Sequence, residues 1–218
     1  MSSEKLSQNW KITIGNQDPK YPFVLIDDWY TPEEEKSVWK ELDFYSTLDV
    51  DKIQRAENTT VAREPNGDSK SKAYRFYLDD FYNRKFRHLS PIINCMYKQR
   101  TPEFQKILLD NCMPYARSFP TSNSDNTMIS YYEEKDHYRP HHDTMLWTCL
   151  IWMVKEPKQF EGGDFKLNDI DVEIKLRNNR MVIFPCCYLH EVTPLKFNTP
   201  PKELGHGKYT ITHFYIGA

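Results

Sequence analysis

The stretch Tyr132–Asp143, with the sequence YEEKDHYRPHHD, places two side chains that can bind a metal, His141 and Asp143, two residues apart. On an extended strand both side chains leave the same face, and His142 between them points the other way. His190, in a later predicted strand, would add a third ligand and complete a 2-His-1-carboxylate set. That set is typical of non-haem Fe(II) and leaves the other coordination positions open. The same ligands also bind Zn(II) or Mn(II), so the residues alone leave the metal open.

The other histidines suit different roles. His137 and His206 lie in turn-like surroundings, where we expect them to be solvated. His213 lies in the last predicted strand, on the face opposite Lys208, where we expect it to pack or to form a hydrogen bond. His190 follows an apolar strand and is therefore the best candidate for the third ligand.

Composition limits the classes of function. The chain has 218 residues and a net charge of −2, which suits one β-rich domain and gives no overall field for nucleic acid or anionic membranes. Its five cysteines lack a Cys-x-x-Cys pattern and are expected to be free thiols. The N-terminal residues are polar, and the longest apolar run, 145–154, is too short to span a bilayer. We therefore expect a cytoplasmic protein with neither membrane nor nucleic-acid partners.

The sequence predicts a helical layer in the N-terminal part of the chain. Thr31–Glu34 is a capping box with proline at the first helical position, which predicts a helix to about residue 44. Ser90-Pro91 and Thr101-Pro102 predict helices over 91–100 and 102–112. Residues 55–72 are polar and rich in turn formers, so we expect a long mobile loop that acts as a lid.

From Asn126 onward the pattern changes to short strands separated by turn signals. The predicted strands are 127–134, 145–154, 163–168, 171–176, 180–184, 189–193 and 208–216. Many closely spaced strands favour a mainly β fold with flanking helices, and a jelly roll (a double-stranded β-helix) can hold a metal at one open end. We expect one domain over 1–218, in which 1–125 form the helical support layer and lid loop and 126–218 form the metal-binding core.

Three further blocks follow the metal-binding stretch. They are FEGGDFKL (Phe160–Leu167), FPCCYLHEVTPL (Phe184–Leu195) and GKYTITHFYIG (Gly207–Gly217). Together with Tyr132 and Tyr138 ahead of His141-x-Asp143, they resemble, in order, the prolyl 4-hydroxylase-like 2-oxoglutarate/Fe(II) oxygenases. The resemblance covers 125–217 closely and extends more loosely to PFVLIDDWYTPEEEK near the start of the chain.

The resemblance implies a set of cofactors and the residues that bind them. The cofactors are Fe(II) and 2-oxoglutarate, with oxygen as co-substrate and ascorbate as a candidate reductant. Lys208 takes the position of the cation that pairs with the distal carboxylate of 2-oxoglutarate, and Thr210 that of a supporting hydroxyl. Tyr132 matches a tyrosine that binds the same carboxylate, although it could equally be a core aromatic. Tyr138 is expected to shape the wall of the substrate cleft, and Trp152 to pack in the core beside the site.

Two departures from the family pattern stand out. The interval between His190 and Lys208 is longer than usual, which implies an insertion over 196–206. Lys135 stands where the family often has glycine.

The resulting hypothesis is a dioxygenase that hydroxylates a C–H bond, with a peptidyl proline as leading substrate and succinate and CO2 as products. A peptide or protein partner is therefore expected, and no catalytic side chain beyond the metal ligands. The alternatives are a hydroxylase of a free amino acid or another small molecule, and a non-catalytic metal-binding β-sandwich that acts as an interaction module.

Overall fold

The computed structural model describes residues 10–15, 18–48, 52–199 and 205–217. The strands are β1 (Lys11–Gly15), β2 (Phe23–Asp27), β3 (Gln54–Arg55), β4 (Ser71–Lys72), β5 (Tyr74–Tyr77), β6 (Ser124–Tyr132), β7 (His137–His141), β8 (Trp147–Met153), β9 (Phe160–Gly162), β10 (Phe165–Leu167), β11 (Val172–Ile174), β12 (Arg180–Pro185), β13 (His190–Val192), β14 (Leu195–Phe197) and β15 (Lys208–Ile216). The helices are α1 (Pro32–Ser46), α2 (Pro91–Met96) and α3 (Pro102–Asn111). The predicted fold class, mainly β with flanking helices, is confirmed.

Two antiparallel sheets face each other. The large sheet has the strand order β1-β2-β12-β8-β15-β6-β5-β3, the small sheet has β11-β10-β13-β7-β4, and β14 and β9 form a separate ribbon. Trp152 and Phe184 of the large sheet pack in one apolar cluster with Phe165 and Val192 of the small sheet. This shared interior is that of the predicted jelly roll.

The large sheet has two buried faces. Its inner face contributes Leu150 and Trp152 of β8 to the interior between the sheets. The alternate residues of the same strand, Ile151 and Met153, belong to a second cluster with the helices. This division follows from the two-residue period of a strand.

The helices begin where their capping signals predict. The Thr31 hydroxyl accepts from Glu34 N–H while the Glu34 carboxylate accepts from Thr31 N–H. The hydroxyls of Ser90 and Thr101 cap α2 and α3 in the same way, and α2 ends at Met96, where a 3-10 turn takes over. Within the described ranges no helix is both long enough and apolar enough to cross a bilayer.

The front of the chain contributes more strands than predicted. β1 and β2 form one edge of the large sheet, β5 and β3 form the other, and β4 forms an edge of the small sheet. The jelly-roll core is therefore not confined to 126–218. Residues 55–72, predicted as an unstructured loop, carry short strands at both ends and a 3-10 turn at 56–58. The N–H of Lys70 donates to Ala62 O at 2.9 Å, which closes this segment on itself.

Candidate metal centre and its adjoining pocket

His141, Asp143 and His190 converge at the open end of the jelly roll. His141 ends β7, His190 begins β13, and the two face each other in the pairing of these strands. The His141 Nε2 lies 3.8 Å from Asp143 Oδ1, and the His190 Nε2 lies 3.6 Å from Asp143 Oδ2. All three ligand atoms lie within 4.8 Å of one another. This spacing suits one shared metal ion.

The position of Asp143 differs from the sequence prediction, because β7 ends two residues before it. Its N–H donates to Cys186 O at 3.1 Å, and its Oδ2 accepts from the Thr148 hydroxyl at 2.7 Å. These contacts, and not strand phase, hold the carboxylate toward the histidines. His142 points away, as predicted, with its Nδ1 2.9 Å from Cys187 O.

Backbone carbonyls orient both imidazole rings. The Nδ1 of His141 lies 2.9 Å from Arg139 O, and the Nδ1 of His190 lies 2.8 Å from Tyr188 O. A carbonyl oxygen only accepts, so Nδ1 carries the hydrogen in each ring. The Nε2 lone pairs therefore face Asp143, as in metal sites whose outer hydrogen bonds fix the tautomer.

Burial keeps these histidines neutral. It lowers the pKa of His141 to about 2, with a smaller contribution from His190. Burial also lowers the pKa of His190, although the neighbouring Asp143 carboxylate acts in the opposite direction. The neutral imidazole is the form that binds metals, so the site is already in its binding state at neutral pH.

Aromatic rings shield the cluster. Tyr138 stacks on His141 with 3.4 Å between ring centroids and 8° between planes. The rings of Phe184 and Phe165 lie 5.0 and 5.5 Å from that of His190. Both histidine rings are therefore packed against aromatic side chains.

Lys208 is fully buried on the inner face of β15. Its Nζ donates to Gly163 O at 2.7 Å and lies 5.1 Å from the ring centroid of Tyr132 and 5.6 Å from that of Trp152. Burial lowers its pKa to about 7, while Asp164 raises it and Lys158 lowers it. None of the described carboxylates lies within 4 Å of this ammonium, which retains donors for a ligand.

Gly163 makes room for this lysine. Its φ is +71°, a region that favours glycine, and a Cβ there would lie 3.3 Å from the Lys208 Cδ. The second glycine of the FEGGDFKL block therefore gives the Lys208 side chain its space and its one acceptor.

Two further polar atoms beside Lys208 need partners. The Thr210 Oγ1 and the Trp152 Nε1 are both buried, and neither has a hydrogen-bond partner among the described residues. Thr210 lies directly opposite Trp152 in the pairing of β15 with β8. An unpaired buried donor is costly, and a carboxylate between them and Lys208 would satisfy all three groups. These three groups have the donor chemistry that the distal carboxylate of 2-oxoglutarate would require.

Tyr132 lies opposite Lys208 in the pairing of β6 with β15 and is 3% exposed. Burial raises its pKa above the ordinary range, so its hydroxyl stays protonated. Its ring centroid lies 5.1 Å from the Lys208 Nζ, and the predicted contact of its hydroxyl with a carboxylate stays a prediction.

The two departures from the family pattern are Lys135, which stands in place of a glycine, and the predicted insertion. Lys135 has a φ of +66°, so it adopts the left-handed conformation that glycine would favour. Within the insertion predicted over 196–206, residues 200–204 lie outside the described residues.

Two polar residues of the interior are not evident as site residues from the sequence. The sequence predicts that Trp152 is a core aromatic. Its two-residue spacing from Leu150, and that of Leu150 from Thr148, indicates that it lies on the inner face of β8. Arg75 has a weaker signal, a cation within the aromatic run Tyr74–Tyr77, which is typical of a partly buried charge.

Comparison with known proteins supports the geometry. The sequence model of the 2OG-Fe(II) oxygenase superfamily matches residues 127–216. No curated protein matches the chain by sequence. The match to the superfamily confirms the resemblance stated above, and with it Fe(II) and 2-oxoglutarate as cofactors.

Solved structures agree in fold. A prolyl-4-hydroxylase of Pseudomonas putida is similar with a TM-score of 0.57 at 12% identity, over 90% of this chain and 92% of that one. The viral collagen prolyl hydroxylase of Paramecium Bursaria Chlorella virus-1, in its 2OG complex, gives 0.51 at 10% identity, over 88% and 94%. NgTET1 in complex with 5mC DNA gives 0.53 at 12% identity, over 89% and 71%. At these identities the similarity establishes the fold.

Proposed function

We propose that this chain, whose residues 127–216 match the 2OG-Fe(II) oxygenase superfamily, hydroxylates a C–H bond of a peptidyl proline. One spatial relationship carries the proposal. The neutral His141–Asp143–His190 cluster and the Lys208 pocket both face the interior of one jelly roll. The fold similarity to two prolyl hydroxylases supports proline as the target. Residues 1–218 act as one domain in this proposal.

His141, Asp143 and His190 would hold Fe(II) from one side. Two neutral nitrogens and one carboxylate oxygen suit this ion and leave its other side open to co-substrates. The bound iron would supply the chemistry by which oxygen oxidises both 2-oxoglutarate, to succinate and CO2, and the substrate C–H bond, to C–OH. The protein contributes positions for these groups and keeps water out.

Lys208, Thr210 and Trp152 would orient the 2-oxoglutarate. The ammonium pairs with the distal carboxylate, while the hydroxyl and the indole N–H donate to it. Because the pocket is buried, this ion pair is weakly screened by solvent. The other end of the molecule would thereby be directed toward the metal ligands, and the Tyr132 hydroxyl would add a further hydrogen bond.

A cleft beside Asp143 would receive the substrate. A cavity of about 320 Å³ opens there, lined by Tyr138 and Met145 among others. Thr60, Val61 and Ala62 also line it, and the segment 55–72 would act as the lid. β4 pairs with the metal-bearing β7, which fastens this segment beside the site.

A non-catalytic metal-binding module would not need the second pocket. A structural metal is satisfied by its own ligands, whereas buried Lys208 with two unpaired neighbours implies a ligand with a carboxylate. This argument leaves a hydroxylase of a free amino acid as the alternative of the same class.

The test is an anaerobic titration of the metal-free protein with Fe(II) and then 2-oxoglutarate. Bidentate binding of the keto acid to iron produces a visible charge-transfer band, and a non-catalytic module produces none. Admission of oxygen with an end-blocked proline peptide should then release succinate and add one oxygen atom to the peptide. A band without any change in peptide mass would overturn proline as the target.

A further inference from the structure

Arg75 lies in the wall of the cleft beside the metal ligands. It faces Ser130 in the pairing of β5 with β6, and it is 8% exposed. Together with Asp143 and Tyr138 it lines the cavity of about 320 Å³. A buried guanidinium therefore opens onto the space where a substrate would lie.

Among the described residues, this guanidinium has no anionic partner. One of its NH2 groups donates to Thr60 O, whereas its Nε is buried without a hydrogen-bond partner in the described part of the chain. No carboxylate among the described residues forms an ion pair with it within 4 Å. Arginine stays charged in proteins, and a buried charge is costly unless a partner pairs with it. An anion that entered the cleft would supply such a partner.

The Arg75 cleft is separate from the 2-oxoglutarate pocket. Lys208, Thr210 and Trp152 do not line it, and its remaining walls combine apolar side chains such as Met128 and Phe214 with polar ones such as Asn126. The carboxylate for which Arg75 is suited therefore belongs to a different molecule from the one that Lys208 binds. A guanidinium presents a planar fork that matches a carboxylate in a bidentate manner.

We propose that Arg75 binds a carboxylate of the substrate and so selects which C–H bond faces the metal. The inference rests on the proposed function and names the chemistry of its substrate. The carboxylate has two sources that share this chemistry. One is an acidic side chain next to the target residue of a peptide, and the other is the α-carboxylate of a free amino acid.

The experiment measures substrate binding without turnover. The protein is loaded anaerobically with Fe(II) and 2-oxoglutarate, and binding is followed by calorimetry and by the change in the charge-transfer band. One pair of probes is an end-blocked proline peptide with a flanking glutamate and its glutamine counterpart. The other pair is free proline and prolinamide. Each pair differs only in the carboxylate.

We expect the wild-type protein to bind the carboxylate member of one pair roughly 10- to 100-fold more tightly than its neutral counterpart. The pair that discriminates identifies the source. Arg75→Gln should abolish the difference and Arg75→Lys should retain part of it. Arg177→Gln, which removes an exposed arginine paired with Asp27, is the matched control and should leave the difference intact.

Equal binding within both pairs by the wild-type protein would overturn the inference, and this comparison does not depend on any variant folding. The inference would also fail if Arg75→Gln weakened 2-oxoglutarate binding in the absence of substrate, because the residue would then serve the cofactor. Absence of the charge-transfer band in the wild-type protein would overturn the proposed function itself, and this inference with it.

Discussion

Thr210 and Trp152 face each other across β15 and β8, and each buries a polar atom that has no hydrogen-bond partner among the described residues. A strand pair seldom leaves two such atoms side by side, because each costs the free energy of its lost hydration. Both residues lie next to Lys208, where a bound carboxylate would accept hydrogen bonds from both polar atoms and remove this cost.

Thr210→Val is therefore expected to weaken 2-oxoglutarate binding roughly 2- to 10-fold, the effect of one neutral hydrogen bond. The ligand-free protein should be as stable as wild type or more stable by about 1 kcal/mol, because an unpaired hydroxyl is removed. Anaerobic titration and thermal unfolding measure the two effects. A loss of stability together with unchanged affinity would mean that the hydroxyl has a structural partner.

Trp152→Phe should weaken 2-oxoglutarate binding to a similar degree, and Trp147→Phe provides its matched control. The Trp147 indole N–H already donates to the Ser118 hydroxyl at 2.9 Å, and its ring belongs to the helix-side cluster. We expect Trp147→Phe to lower stability by about 1 kcal/mol and leave the affinity for 2-oxoglutarate unchanged. Equal losses of affinity in both variants would point to general loosening of the sheet.

Lys208→Ala should raise the 2-oxoglutarate requirement roughly 30- to 4,000-fold, because it removes one partner of a buried ion pair. Iron binding should be nearly unchanged, since the metal ligands lie on other segments of the chain. His213→Ala is the control on the same strand, because its ring packs on the opposite face and bonds to the Thr127 hydroxyl. An unaltered 2-oxoglutarate affinity in Lys208→Ala would reject this anchor. Arg180 could not replace it without giving up its ion pair with Asp27.

Binding of 2-oxoglutarate should weaken as pH rises above about 7. Burial lowers the pKa of Lys208 to about 7 in the ligand-free protein, against the opposing influence of Asp164, and an arriving carboxylate favours the protonated form. Above that pH, binding must therefore take up a proton, and affinity should fall by up to about tenfold per pH unit. Lys208→Arg should show no such slope, because a guanidinium stays charged. A slope shared by both proteins would assign the titration to another group.

The same group makes the stability of the ligand-free protein depend on pH. The unfolded chain binds more protons at Lys208 between pH 7 and 10.5, so stability should increase with pH across that window. Below about pH 7 the protonated Lys208 lowers the free energy of unfolding by its full amount, about 5 kcal/mol for a pKa lowered from 10.5 to about 7. Lys208→Met should remove this dependence in denaturant unfolding at several pH values. A slope that persisted in Lys208→Met would have to come from other residues.

Each of His141→Ala, Asp143→Ala and His190→Ala should weaken Fe(II) binding sharply, since each removes one of three ligands. His137→Ala is the matched control, because it lies on the same strand with its Nδ1 2.9 Å from a backbone carbonyl but outside the cluster. Iron affinity is measured by anaerobic titration. Wild-type affinity in all three variants would place the metal elsewhere.

The segment 55–72 should become protected from proteolysis when substrate binds. Thr60, Val61 and Ala62 line the cleft, and Arg63 beside them offers a trypsin site. We expect cleavage after Arg63 to slow on addition of metal, 2-oxoglutarate and a proline peptide, while cleavage after exposed Lys106 on α3 continues at its original rate. An unchanged rate at Arg63 would make the segment a passive part of the surface.

The parts of the fold that follow from local signals could be predicted from the sequence. β15 spans the predicted residues 208–216, and α1, α2 and α3 begin after the capping residues that predicted them. These features depend on short-range hydrogen bonds and strand periodicity.

Features that depend on distant partners could not be predicted. β3 and β4 have two residues each, too few for a periodic pattern, and they exist because β5 and β7 pair with them. Asp143 reaches the site through contacts with Cys186 and Thr148, and not through the strand phase that its spacing from His141 suggests. The face that the Arg75 side chain takes is set by the pairing of β5 with β6, which no local pattern specifies.

Side chains alternate between the two faces of the sheet along β15, so two sets of residues with different roles share this strand. Lys208 and Thr210 supply the co-substrate pocket, whereas Tyr209 and Ile211 pack with the helices. Substitutions at even-numbered positions can therefore change ligand preference while the packing of the sheet against the helices is retained. Substitutions at odd-numbered positions can be used to change thermal stability. A mutational library restricted to the even-numbered residues of β15 would test ligand binding, and one restricted to the odd-numbered residues would test stability. The two sets remain separate although their residues are direct neighbours in the chain.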